Sequence, residues 1–164
     1  MIFKILRKIA AAYFALYISL HDVLAESLEV GEAASFANFI RELINSTSSP
    51  NESSTICIFG NDEISKSIML QEKNAVDLNF EPKKYEICKA IYISQNMQKI
   101  MRSEIEKFSS KKIMTIAIFE GFIELGGMAQ VQMGRRNFEL ILDSKQIKAS
   151  SIKLNSLFLS LVIN

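Results

Sequence analysis

The sequence predicts an α/β protein: a mostly parallel central sheet of about six strands flanked by helices, with a C-terminal antiparallel hairpin and a helical tail. Three observations carry this expectation. Short continuous apolar runs (TICIFG at 55–60, KAIYIS at 89–94, KIMTIAI at 112–118) read as strands buried on both faces. Segments with apolar residues at helical spacing lie between them, the alternation that builds a parallel sheet covered by helices. After residue 118 the rhythm changes: AQVQM and FELIL follow one another closely, each alternating apolar with polar, as hairpin strands do.

With 164 residues the chain is long enough for one domain, and a hydrophobic fraction of 49% supplies a core. Residues 1–25 are expected to be a signal peptide. Lys4, Arg7 and Lys8 precede the apolar stretch Ile9–Leu20, and Val23 and Ala25 bracket Leu24 where a signal peptidase reads. Those twelve residues fall short of the roughly 20 that a spanning helix needs. Residues 26–164 then form the mature domain. Loss of the leader takes the net charge from +1 to about −1, with no electrostatic footprint for nucleic acid or anionic lipid.

The domain opens with a helix whose apolar face carries Phe36, Phe39, Ile40, Leu43 and Ile44. NSTSSPNESS ends it; the sequons at Asn45 and Asn51 read as loop composition. TICIF forms a strand closed by Gly60, and Asn61 is expected to cap the helix DEISKSIMLQ. VDLNF (Val76–Phe80) reads as a short strand and KAIYIS as the next. A helix is expected over 96–108, with Met97, Ile100, Met101, Ile105 and Phe108 on one face. KIMTIAI leads to the hairpin, which turns around Gly134 to Asn137. The tail carries Ile147, Leu154, Leu157, Phe158 and Leu161 as a helical stripe, interrupted at ASS with Ser150 or Ser151 as an internal cap.

The chemistry-bearing inventory is poor. His21 is the only histidine and falls in the leader, so the mature chain has no residue for a Ser-His-Asp or Cys-His mechanism and no imidazole for a metal. No catalytic residue, metal site or cofactor is expected. Four of the six glycines lie in EGFIELGGMAQVQMG, but this stretch joins strand to strand and offers no helix N-terminus to a phosphate. Gly126 and Gly127 are expected to bend the chain into the hairpin with positive φ at one or both; Gly134 serves the far turn and Phe122 pins the loop to the core. Glu120 and Glu124 read as solvated loop acids, and the methionines as core filling. Cys57 and Cys88 each flank an apolar run that reads as a core strand; in an oxidising compartment the even count favours a disulfide if those strands are neighbours, the alternative being two buried thiols. Gly60 and Asn61, with Ser94 and Asn96, should line the crevice at the C-terminal ends of the strands, where such folds bind small molecules.

One resemblance is specific. Residues 113–162 are similar to the C-terminal half of the YfiR family: Gly121-Phe122, Gly126-Gly127-Met128, Phe138-Glu139 and Ser150-Ser151, followed by Leu154 and Leu157, stand where that family has GF…GGM, FEIN and a serine-rich step. TICIFG and CKAIYIS resemble its first core strands. The chain departs in having no tryptophan and in Ile141 where FEIN has asparagine. The resemblance implies an exported, periplasmic repressor that binds the periplasmic sensor domain of an inner-membrane diguanylate cyclase and holds cyclic di-GMP synthesis low. It also implies a disulfide at the two matching cysteines and dimer formation. The alternative reading is a periplasmic small-molecule binding module that feeds another membrane sensor.

Overall fold

The computed structural model describes residues 31–50, 53–80, 82–99, 102–134, 137–156 and 158–159. The leader expected over 1–25, Ile100, Met101, Leu157 and Leu161 lie outside the described residues. Helix α1 (31–45) buries Phe36, Ile40, Leu43 and Ile44, as their spacing requires. There follow β1 (Thr47–Ser48), β2 (Thr55–Phe59), α2 (Glu63–Gln71), β3 (Val76–Asp77), β4 (Cys88–Ile93), α3 (Arg102–Ser110), β5 (Met114–Ala117), β6 (Ala129–Met133), β7 (Phe138–Leu142), α4 (Ser144–Ala149) and β8 (Lys153–Leu154).

Six strands make one sheet in the order β3-β2-β4-β5-β6-β7. The first five are parallel and β7 returns antiparallel to β6, with Val131 opposite Leu140. Because β4 lies beside β2 on the side away from β3, the winding reverses there, and the C-terminal ends of β2 and β4 part at a topological switch point.

Successive residues of β4 go to opposite faces. Ala90 and Tyr92 join the core beneath α1 and α2, with Ile58, Ile64, Ile68 and Ile116. Ile91 and Ile93 join the second core, with Ile105 and Phe108 of α3 and with Phe119 and Phe122. Burial on both faces is why these strands read as unbroken apolar runs. In the second core a disulfide joins Cys57 of β2 to Cys88 of β4, with Cα atoms 5.7 Å apart.

Four local expectations are corrected. Asp62, not Asn61, caps α2. VDLNF is a strand only over Val76–Asp77, because the Asn79 amide then takes both backbone groups of Gly60 and ends the ladder. The helix expected over 96–108 is a 3-10 turn at Gln95–Met97 followed by α3 from Arg102. The tail is not helical throughout: α4 stops at Ser150, and Lys153–Leu154 pairs antiparallel with β1 as β8 before helical residues resume at Ser156.

Among the described residues, the non-glycine positions with positive φ, Lys112 (62°) and Ser151 (58°), have a common cause. Each follows a helix end closed by two bonds. Ile113 N–H reaches Phe108 O while Lys112 N–H reaches Ser109 O; Ile152 N–H reaches Ile147 O while Ser151 N–H reaches Lys148 O. This is the Schellman arrangement, whose C′ residue must be left-handed.

The disulfide closes a loop of sequence separation 31. Replacing both cysteines by serine should lower stability by about 3–4 kcal/mol through the added freedom of the unfolded chain. Urea denaturation of the oxidised protein and the double variant measures this; coincident midpoints would contradict it.

Candidate functional site

The switch point brings Gly60, Asn61, Ser94 and Asn96 together. Ser94 N–H donates to Phe59 O at 2.9 Å, and Asn61 N–H to Asn96 Oδ1 at 3.3 Å. Gly60 has φ +103°, and a Cβ there would lie 2.5 Å from Met97 Cγ and 2.7 Å from both Asn96 Oδ1 and Ser94 Cβ. Only glycine fits. Asn61 bonds to Asn96, Ser94 to Phe59 and Gly60 to the Asn79 amide, and the Gly60 backbone is packed against Met97, Asn96 and Ser94, so the four lie in a closely packed seam. Ser94 Oγ is buried in it without a partner among the described residues.

Asp62, next to the expected cap Asn61, organises the seam. Its Oδ1 accepts from Ser65 N–H at 2.7 Å, while Ser65 Oγ accepts from Asp62 N–H at 2.7 Å, a reciprocal capping box. Its Oδ2 accepts from Tyr92 Oη at 2.9 Å and from Gln95 N–H at 3.1 Å. Tyr92 is fully buried; that burial, then the Asp62 charge and hydrogen bond, hold its phenol far above the usual tyrosine range. The phenol is a permanent donor, not an acid. Asp62-Glu-Ile-Ser65 has the spacing of a capping box, and that was the signal available in the sequence.

Clefts open on either side of the start of α2. One, of about 290 Å³, has Ala33, Phe36, Ile64 and Ile118 as apolar lining, with Glu32, Asp62, Glu63 and Gln95 as polar lining. The helix N-terminus, which would otherwise attract an anion, is already occupied by the chain's own Asp62 carboxylate. The other cleft, of about 360 Å³, runs along the far side of α2 between Met69, Leu70 and Asp77, with Gly60 and Asn61 at its margin.

The glycine-rich loop is folded onto the sheet. Phe122 is fully buried, edge-on to Phe119 at 5.2 Å. Its N–H donates to the buried Gln130 Oε1 at 3.1 Å, and the N–H of the buried Met128 donates to Thr115 Oγ1 at 3.0 Å. Gly121 and Gly126 have φ of 82° and 94°. Gly127 serves differently: a Cβ there would sit 2.3 Å from the Phe122 ring. On the hairpin, Phe138 packs on Phe36 and Phe39 at 4.8 and 4.9 Å, and Glu139 accepts from Gln132 Nε2 at 2.9 Å. Gly134 leaves room at the far turn for Glu139 and the Asn137 carbonyl. Glu120 and Glu124 are exposed. Among the described residues no group of three or more His, Cys, Asp or Glu could hold a metal ion, and no helix is long and apolar enough to cross a membrane.

Tyr92→Phe should cost about 1.5–3 kcal/mol, the range for hydrogen bonds to charged groups. Asp62→Ala should cost more, because it also uncaps α2 and orphans the Tyr92 hydroxyl. A double-mutant cycle in urea should show the two sites coupled; strict additivity would contradict the bond.

No curated protein matches the chain. A crystal structure titled as a conserved domain protein from Vibrio cholerae O1 biovar eltor shares the fold, with a TM-score of 0.58 and 11% identity over 78% of this chain. This chain spans 58% of that one, and the likeness concerns the fold alone. The model of the DUF4154 family, described as YfiR/HmsC-like, matches residues 32–162. That match runs from α1 through the whole sheet and past β8, taking in the GGM loop and both cysteines. The chain belongs to the YfiR/HmsC-like family.

Proposed function

We propose that the protein is exported, with its leader cut after Ala25, and acts in the periplasm as a regulatory binding protein. It binds the periplasmic sensor domain of an inner-membrane diguanylate cyclase and holds cyclic di-GMP synthesis low. The observation that carries this reading is the family match over residues 32–162. Two features agree with it. A buried Cys57–Cys88 disulfide suits an oxidising compartment. The polar side chains at the switch point are engaged within the fold: Asp62 with Tyr92, Asn79 with the Gly60 backbone and Asn96 with the Asn61 backbone. A regulator of this kind needs only to bind the inactive cyclase more tightly than the active one, since differential affinity sets how far the equilibrium moves. Deleting the gene should raise cellular cyclic di-GMP, and the full-length gene, leader included, supplied on a plasmid should restore it. Unchanged levels in the deletion strain would sink the cyclase assignment.

The cleft of about 290 Å³ favours a second reading, a small-molecule binding module that feeds another membrane sensor. A ligand at a hundred times its Kd stabilises the fold by about 2.7 kcal/mol. A thermal-shift screen of periplasmic metabolites would register that, and silence at millimolar concentration would count against it.

A further inference from the structure

The two edges of the large sheet are finished differently. β3, on one side, is two residues long and is stopped by the Asn79 amide. β7, on the other, runs for five residues, Phe138–Leu142, in unbroken register with β6. It holds no proline, lysine or bulge, the devices that keep a strand edge from recruiting another strand. None of its five residues is fully buried, and Ile141 is 41% exposed.

The ladder fixes which backbone groups of β7 are free. At its two ends Gly134 N–H donates to Asn137 O and Asp143 N–H to Met128 O. Antiparallel pairs alternate between hydrogen-bonded and non-hydrogen-bonded, so Glu139 and Ile141 turn their N–H and C=O groups toward β6. Those of Phe138, Leu140 and Leu142 point away from the sheet, and no described residue bonds to them. The side chains of these three pack on the core beneath α1, while Glu139 and Ile141 stand on the opposite face.

Charge selects the register, and the register selects the occupant. A strand added here must offer its own outward groups to Phe138, Leu140 and Leu142. The same strand of a second copy does so, antiparallel about a two-fold axis. With the axis at Leu140, Phe138 faces Leu142 of the second copy and Glu139 faces Ile141. All five residues are then matched and no like charges are opposed. Moving the axis one residue toward Phe138 sets Glu139 against Glu139; moving it one residue the other way sets Glu139 against Asp143.

We propose that the outer edge of β7 pairs with β7 of a second copy of this chain, with Leu140 on the two-fold axis, so that one sheet runs through both copies. An edge of five residues is a small contact, so the dimer is reversible and depends on concentration.

The test follows the mass of the oxidised mature chain by sedimentation equilibrium over a concentration series. Wild type should pass from monomer to dimer. Ile141→Glu places a carboxylate opposite Glu139 of the other copy, twice per dimer, and should raise the dissociation constant about tenfold. Adding Glu139→Lys should restore wild-type association, because the new lysine then faces the new glutamate across the axis. Residues 139 and 141 form a non-hydrogen-bonded pair between copies, with Cα atoms about 4.5 Å apart. A Glu139→Cys/Ile141→Cys variant should therefore give a disulfide-linked dimer, with the new cysteines joined between copies in peptide mapping. Thermal midpoints of Ile141→Glu and the charge-swapped variant should stay near wild type, since both side chains are exposed. A wild-type chain that stays monomeric at all concentrations overturns the proposal. So does a dimer indifferent to Ile141→Glu, or one weakened by it and not rescued by the swap. The cyclase reading stands or falls separately, on cyclic di-GMP in the deletion strain.

Discussion

The parallel pairing of β2 with β4 is the constraint on which the rest of the structure depends. Five residues of β2 are matched along β4, from Thr55 opposite Cys88 to Phe59 opposite Ile93. The disulfide joins the same two strands covalently. Parallel neighbours must be linked by a crossover, and β3 is added outside β2 before the chain returns to lay down β4. That return creates the switch point, and with it the seam at Gly60, Asp62, Ser94 and Asn96. The site exists because the strand order reverses, not because any local motif encodes it.

Asp62 converts this topology into a fixed helix position. One carboxylate oxygen starts α2 and the other holds Tyr92 at the end of β4 and the backbone of Gln95 beyond it. A half-buried charge with three donors is compensated, and its removal would leave several groups unpaired at once. The placement of α2 over the sheet, and hence the shape of both clefts beside it, follows from that one side chain.

Much of this was legible in the sequence wherever burial dictates residue type. TICIF, CKAIYI and MTIA are apolar on both faces, and the alternation in AQVQM and FELIL marks a hairpin. The features that escaped are set by a few polar atoms or by contacts remote in sequence. Asn61 looked like a cap because asparagine often is one, yet the reciprocal bond with Ser65 selects Asp62. The alternation in VDLNF predicts a strand through Phe80, but the Asn79 amide closes on Gly60 first. The pairing of Lys153–Leu154 with Thr47–Ser48 is two residues long, too short to leave any periodicity. At the candidate site, the convergence of Gly60 with Ser94 followed from strand order, whereas Tyr92 read only as core.

That short pairing has a consequence for how the molecule is made. Thr47 meets Leu154, and Asn155 N–H donates to Ser46 O, so a segment emerging early from a translocon or ribosome is bonded to one emerging more than a hundred residues later. Ile152, just before β8, is buried in the same core as Phe36 and Ile40 of α1. The underside of α1 is therefore incomplete until nearly the whole domain has been delivered. Non-local closure of this kind is entropically costly to form and slow relative to local helix formation. The first helix waits on the last strand, and the interval between them is when the chain most needs protection from aggregation.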